Sequence, residues 1–225
     1  MLKRVKNEPL AEPPALLPQP DPGRIFWEQQ LWNREIGLVA GLDEAGRGAW
    51  AGPVVAAAVV FKPGTFIPGI DDSKKIIPKK REVLFDIICR EALCYAVGAI
   101  SPAQIDEQNI LNASLAAMRE AVAGLSQKPD YLLIDGNRGI GVNIPQKLLV
   151  RGDGRSMTIG AASILAKVTR DRLMREMEKE FPRFTFSKHK GYGTGAHQEE
   201  LKKYGILPVH RKSFEPIRLL ANNPS

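Results

Sequence analysis

Four carboxylates stand out in the 225-residue chain because of where they sit. Asp43 and Glu44 close the apolar run Ile36–Leu42, Asp135 closes Tyr131–Ile134, and Asp153 follows Lys147–Val150 after Arg151-Gly152. Each time an apolar run stops, an acid appears and a glycine lies within a few residues. In α/β proteins the groups that do chemistry collect at strand ends, where loops are free to carry them. Four acids meeting at one point repel each other; unpaired, they take up protons or destabilise the fold. A divalent cation removes that conflict, and an all-oxygen donor set suits Mg²⁺ or Mn²⁺ rather than zinc. A carboxylate-held pair of such ions is equipment for phosphodiester hydrolysis, one ion lowering the pKa of a water and the other stabilising the leaving oxygen. Taken singly, each acid also reads as a solvated turn residue, since Asp and Gly favour turns; the recurrence favours a shared site. Strand alternation sends Asp43 and Glu44 to opposite faces, so both can reach one ion only if the chain bends, which Ala45-Gly46 permits.

The elements that must position these acids follow from the apolar pattern. An amphipathic helix is expected over Ile25–Glu35. Ile36–Leu42 and Val54–Phe61, joined by the turn-rich stretch Gly46–Pro53, read as two antiparallel neighbouring strands. Pro78 opens a helix through Arg90, and Tyr95–Ile100 is a third strand. Ser101-Pro102, a capping residue followed by proline, starts a helix that runs to about Gly124. Tyr131–Ile134 and Lys147–Val150 are the fourth and fifth strands. A long helix spans Thr158 to Phe181, and beyond Pro182 come loops and one helix, Ala196–Tyr204, stopped by Gly205. Strands alternating with helices after a hairpin predict an α/β, three-layer domain with a mixed five-stranded sheet and a helical C-terminal appendage. The expected organisation is a proline-rich, disordered arm over 1–24, a catalytic domain over 25–181, and an extension over 182–225 packing on it.

Composition narrows the partners. There are 32 Lys+Arg against 25 Asp+Glu, a formal net charge of +7. Residues 1–150 hold 17 basic and 17 acidic side chains, so the whole excess lies in residues 151–225, with 15 basic and 8 acidic. Such a surplus points to an acidic partner such as nucleic acid. At 44% hydrophobic residues the chain can bury a core, which excludes a wholly disordered protein. The longest mainly apolar stretch, Ala49–Phe61, is broken by Gly52-Pro53 and is shorter than the roughly 20 residues a membrane span needs. No secretory signal is visible, and the two cysteines, Cys89 and Cys94, read as core thiols in a reducing, cytoplasmic compartment. A nucleotide-binding ATPase is excluded by the lack of a Gly-x-x-x-x-Gly-Lys-Ser/Thr loop.

Seven ordered motifs resemble one family. Gly41-Leu42-Asp43-Glu44-Ala45-Gly46-Arg47-Gly48 is similar to the first motif of the bacterial ribonuclease HII family, and Asp72-Ser73-Lys74-Lys75 to its second. Asn109–Met118, Leu133–Gly136, Gly152-Asp153, Ala161–Asp171 and the segment from His189-Lys190-Gly191-Tyr192 to His210-Arg211-Lys212-Ser213-Phe214 resemble the rest in order. The resemblance implies a ribonuclease H-like fold. It also implies an endonuclease acting on RNA–DNA hybrids and on duplex DNA containing ribonucleotides, cutting 5′ of the ribonucleotide to leave a 3′-hydroxyl and a 5′-phosphate; a monomer is expected. By position it implies Asp43, Glu44, Asp135 and Asp153 as catalytic, metal-binding acids. It implies Gly46-Arg47-Gly48 as the turn that reads the ribose 2′-hydroxyl, and Tyr192 as the ring against the deoxyribose that follows.

The residue types fit those roles. The 2′-hydroxyl is what separates RNA from DNA on the backbone, and glycines let the main chain come close enough to read it. An ordinary tight turn at Gly46–Gly48 and simple packing of Tyr192 are the plainer readings. Lys74 and Lys75 are candidate phosphate contacts or members of a solvated basic loop. Arg170 and Asp171 are expected in a structural ion pair or cap. His189, His197 and His210 are not expected to form a metal set. A non-catalytic nucleic-acid-binding protein of the same fold is the alternative, against which the intact acid set speaks. A sliding-clamp or polymerase partner is left open. Residues 1–35 are too few and too proline-rich for the extra N-terminal domain of the related ribonuclease HIII group.

Overall fold

The computed structural model describes residues 21–222. Five strands form one mixed sheet in the order β3-β2-β1-β4-β5. They are β1 (Val39–Ala45), β2 (Val54–Val60), β3 (Cys94–Ile100), β4 (Tyr131–Asp135) and β5 (Gln146–Leu149). β2 pairs antiparallel with both β1 and β3, while β1, β4 and β5 run parallel. Every residue of β2 is buried, which is what a strand of seven valines and alanines covered on both faces requires.

Helix α3 (Pro102–Ala123) covers one face and α4 (Met157–Glu180) the other, with α2 (Pro78–Glu91) beside α4. Alternation assigns the strand residues. Ala40, Leu42, Ala56 and Ala58 pack with Ala113, Ala117 and Ala121 of α3, whereas Ala57 and Val59 pack with Ala161, Ala162 and Leu165 of α4. Small residues on both sides let the layers come close. At Gly41 the approach leaves no room for a side chain, because a Cβ would run into the Thr158 backbone of α4. The expected three-layer α/β architecture is present.

Several boundaries differ from expectation. β1 does not stop before the acids but continues through Asp43 and Glu44 to Ala45, because all three pair with β2. Asp135 is the last residue of β4, whereas Asp153 lies in a 3₁₀ turn, Gly152–Gly154, beyond β5. Residues 1–20 of the expected arm lie outside the described residues. Residues 21–24, assigned to the same arm, instead form part of a 3₁₀ helix, Asp21–Ile25, tied down by Arg24 to the Ile70 carbonyl at 2.9 Å and to Asp71 at 2.6 Å. α1 (Phe26–Trp32) follows, shorter than the amphipathic pattern predicts. α3 is interrupted at Asn109, whose φ of 69° and ψ of 163° are not helical, and Asn109 Oδ1 caps the second segment by accepting from Asn112 N at 3.1 Å.

Among the described residues beyond Pro182 there are three helices rather than one: α5 (Phe186–His189), α6 (Gly195–Tyr204) and α7 (Glu215–Asn222). They enclose a cluster of Phe184, Phe186, Leu201 and Ile217 that takes in Ala51 from the β1–β2 turn and Met174 from α4. Cys94 is buried, Cys89 half-buried, and both are free. No helix among the described residues is long and apolar enough to cross a membrane.

Candidate active site

Pairing of β1 with β4 places Gly41 beside Leu133 and Leu42 beside Ile134. One step further along the parallel pair, Asp43 and Asp135 fall on the same face, the one covered by α4. Asp43 is buried and Glu44 nearly so. Asp135 accepts from Gly152 N at 2.6 Å, which ties it to the turn that carries Asp153. Asp153 accepts from Gly154 N at 2.9 Å, and Asp43 from Glu44 N at 2.7 Å. Glu44 receives Arg47 Nη1 at 3.2 Å.

These carboxylates disturb one another. Burial, then the charges of Glu44 and Asp135, push the Asp43 carboxyl well above the ordinary range. Burial also raises Glu44, against the pull of Arg47 and Lys74. It raises Asp135 and Asp153, with the Asp72 charge adding to both and Asp135 adding to Asp153. The four predicted acids therefore share one desolvated, electrostatically crowded place.

Asp72 is a fifth acid there, a role that its place in the motif Asp72-Ser73-Lys74-Lys75 does not announce. It belongs to the loop between β2 and α2. That loop is pinned from below by Ser73 Oγ to Ser163 Oγ at 2.9 Å, and from the side by Arg81 to the Ser73 and Ile76 carbonyls at 2.6 and 2.7 Å. Nothing local in the sequence announces that this loop folds back over the strand ends. It also separates the two lysines. Lys74 bears on Glu44, Asp135 and Asp153, whereas Lys75 faces Asp71 at 3.8 Å.

Crowded acid oxygens in a partly dry place are a donor set suited in kind to hard divalent ions. Among the described residues no three His, Cys, Asp or Glu side chains are yet drawn together around a single point. Three of the four aspartate and glutamate side chains instead turn one oxygen onto a nearby main-chain N–H, as given above. The fit lies in the chemistry of the donors and in their mutual repulsion.

Beside the acids lies a second construction. Gly46 takes φ +93°, and a Cβ there would run into the Arg170 guanidinium. This turn is glycine because a buried arginine fills the space behind it. Arg170, fully buried in α4, donates to the Pro53, Lys190 and Ala51 carbonyls at 2.9, 3.0 and 3.1 Å. Arg211 donates to the Gly52 and Arg47 carbonyls at 3.0 and 2.9 Å. Of the two residues expected in a structural ion pair or cap, Asp171 forms an ion pair with Lys167 at 2.7 Å, whereas Arg170 spends its donors on the main-chain carbonyls. Tyr192, half-buried, sits with its ring 5.4 Å from the Arg170 guanidinium carbon. The two loops are laced together by Trp50 N and Ala51 N donating to the Gly191 carbonyl at 2.7 and 3.3 Å. Arg47 and Gly48 remain exposed at the turn's tip.

Three histidines support the Tyr192 segment. His189 and His197 stack with centroids 4.2 Å apart, and His197 shares an Nε2···Nε2 hydrogen bond of 3.0 Å with His210. The flanking bonds favour one set of proton positions. Leu207 N donates to His210 Nδ1 at 2.9 Å, closer than the Leu207 carbonyl at 3.3 Å from the same atom, which favours the His210 proton on Nε2, donating to His197. His197 then donates from Nδ1 to the Tyr192 carbonyl at 3.0 Å. Gly191 N donates to His189 Nδ1 at 3.1 Å, leaving His189 Nε2 to donate to Glu200 at 2.9 Å. Burial, followed by the other histidines' charges, pulls His197 and His210 down to about 4, so these two rings are neutral near pH 7. The three histidines are a scaffold around the loop.

Residues 40–217 match the family model of ribonuclease HII. The ribonuclease HII of Acetivibrio thermocellus is 52% identical over 189 residues, covering 84% of this chain and 74% of that protein. The fold is similar to the ribonuclease H2 of Pyrococcus horikoshii, with a TM-score of 0.70 and 27% identity over 82% of this chain and 97% of that one. It is also similar to the ribonuclease HII of Archaeoglobus fulgidus, solved in complex with PCNA, with a TM-score of 0.68 and 26% identity over 79% and 95% of the two chains.

Proposed function

Because the chain belongs to the ribonuclease HII family, a family of RNA–DNA hybrid endonucleases, we propose that it incises duplex DNA on the 5′ side of embedded ribonucleotides. It also cuts the RNA strand of longer hybrids, leaving a 3′-hydroxyl and a 5′-phosphate. The observation that carries the reading is the juxtaposition of two unlike constructions: four crowded carboxylates, and a glycine turn whose Arg47 reaches one of them at 3.2 Å. Asp43, Glu44, Asp135 and Asp153 would hold Mg²⁺ or Mn²⁺. Bound ions supply an activated water and offset the charge of the scissile phosphate.

The chain's own residues do the selecting. Gly46 and Gly48 bring main-chain groups against the sugar, where only a ribose offers a 2′-hydroxyl to bond. Arg47, exposed at the tip, meets a phosphate beside it. Tyr192 packs on the next sugar and tolerates no hydroxyl there. Lys74, already facing the acids, offsets their charge until substrate and ions arrive; Lys75 is a more distant phosphate contact. In the cell this chemistry serves ribonucleotide removal and RNA primer processing, by a monomer in the cytoplasm.

The test is a nicking assay on duplex DNA carrying one ribonucleotide, with Mg²⁺ or Mn²⁺. A single cut 5′ of the ribonucleotide is expected. Binding without cutting under both ions supports the non-catalytic alternative and sinks the enzyme reading.

A further inference from the structure

A cleft of about 420 Å³ opens between the start of α2, the middle of α4 and residues 187–190. Arg81, Lys167, Arg175, Lys188 and Lys190 line it, against two acids, Glu82 and Asp171. Both acids are engaged. Asp171 accepts from Lys167 at 2.7 Å and faces Arg81 at 3.9 Å, while Glu82 accepts from Arg172 and Arg175 at 2.6 and 3.1 Å. These pairs hold cations in place without cancelling the surplus, because the lining keeps five cations to two acids.

Lys190 is the best placed of the five. It adopts a left-handed backbone, φ 53° and ψ 27°, which a long side chain seldom takes. Its carbonyl is held by Arg170 at 3.0 Å, and its amine stands 3.4 Å from the Asp171 carbonyl. The fold thus fixes this lysine at both ends. Burial holds its amine below the ordinary lysine value, so it is a cation already part-stripped of water. Such a group gains from an arriving anion more than a fully hydrated surface lysine does.

Its neighbourhood names the anion. Lys190 precedes Tyr192 by two residues, and Lys167 points between cleft and ring, 6.0 Å from the Tyr192 ring centre. A strand whose deoxyribose lies on Tyr192 must carry its next phosphates past that ring. We infer that the cleft is a phosphate subsite for the cleaved strand on its DNA side, 3′ of the junction between ribonucleotide and deoxyribonucleotide, with Lys190 and Lys188 as the contacting cations. The inference rests on the role of Tyr192 proposed above. It makes affinity depend on the DNA that follows the ribonucleotide, and it leaves the acids untouched.

The experiment compares wild type, Lys190→Gln and Lys188→Gln binding a duplex with one ribonucleotide, by fluorescence anisotropy over a salt series without divalent ions, so that nothing is cut. Lys190→Gln should weaken binding several-fold and lower the slope of log affinity against log salt by about 1. Single neutral methylphosphonates are then walked along both strands. One position 3′ of the ribonucleotide should weaken wild type while leaving Lys190→Gln unaffected, and Lys190→Arg should restore the wild-type pattern. If Lys190→Gln fails to fold by circular dichroism, the exposed Lys188 supplies the same comparison. An unchanged slope in both variants, or non-additivity with a phosphate on the opposite strand or on the 5′ side, overturns the inference. A wild type that shows the footprint yet never nicks this duplex overturns the proposed function and leaves the subsite standing. A wild type that nicks normally without the footprint does the reverse.

Discussion

The acidic centre and the cradle beside it are built on opposite electrostatic principles. In the cradle, most buried polar groups are satisfied: Arg170 gives three hydrogen bonds to main-chain carbonyls, Arg211 gives two and leaves Nη2 without a partner, and the neutral histidines pass donors and acceptors in one consistent direction to the Tyr192 carbonyl. In the acidic centre, carboxylates are buried against one another and every one is pushed towards protonation. A satisfied polar network rigidifies what it holds. A crowd of like charges stores a cost that a cation relieves. The cradle is built to keep its shape whether or not substrate is present, and the acids are built to be incomplete without a partner. The two regions should therefore respond to substitution with opposite signs in stability.

The largest effect belongs to the acids. Asp135→Asn should lower cleavage by roughly 10³-fold or more, the scale expected when an ion's several kcal/mol of charge stabilisation is lost. It should leave duplex binding in place. The melting temperature should hold or rise, because one repelling charge has gone. Retained cleavage contradicts the metal assignment, and a fall in melting temperature breaks the contrast. Arg170→Met should do the opposite. It leaves three carbonyls short of a donor and costs about 3 kcal/mol or more in denaturant unfolding. An unfolding midpoint equal to wild type would show that the guanidinium does not hold the turn.

Acid sharpens the contrast further. His197 and His210 titrate near 4 when folded, against about 6.5 for an unfolded histidine. Because the folded values are depressed, their contribution is fully present above pH 6.5 and is lost as pH falls from there towards 4. The slope approaches about 1.4 kcal/mol per pH unit for each proton that the unfolded chain takes up first. The acids oppose it: their raised values give stability that grows as pH falls and they take up protons. Asp135→Asn should thus steepen the loss below pH 6.5, and His197→Asn should flatten it. Urea titrations at pH 7, 6 and 5 read both slopes, and parallel curves for the two variants would remove the distinction.

The parts legible in the sequence are those with local causes. The sheet and its covering helices could be read because apolar runs of strand and helix period occur in order, and Ser101-Pro102 starts α3 where capping chemistry predicts. The acids could be read because each breaks an apolar run. The misreadings have long-range causes. Asp43 was expected at a strand end, but pairing with β2 carries β1 past it. Asp72 enters the site through a loop pinned by Ser163, 90 residues away in sequence. Arg170 is expected from the sequence in a structural ion pair or cap, but it spends its donors on carbonyls 117 and 119 residues distant. Glu28, in an otherwise ordinary amphipathic helix, is fully buried and caps the start of α4 through Ser156 Oγ and Thr158 N at 2.6 and 2.9 Å. A one-dimensional pattern holds no trace of such partners.

The smallest expected effect tests whether the cradle reads the sugar or merely supports the fold. Tyr192 is half-buried, its ring rests on Arg170, and its backbone, rather than its hydroxyl, is held by His197. The main chain should therefore stay in place when the side chain is cut back. Tyr192→Phe keeps the ring and should change the preference for the junction by no more than a few-fold. Tyr192→Ala removes the surface against the deoxyribose and should reduce that preference about 10-fold, the lower end of what aromatic stacking on a nucleotide contributes. Cutting inside a long hybrid, where no deoxyribose follows, should change less. The measurement is the ratio of cleavage rates on one embedded ribonucleotide and on a long RNA–DNA hybrid, for the same protein in the same buffer. If both rates fall together in Tyr192→Ala, the ring supports general binding and the cradle's selectivity rests on Gly46–Gly48 alone. If the ratio falls while the hybrid rate holds, the ring excludes a hydroxyl on the side where the turn demands none, and the two loops laced through Gly191 act as one reader.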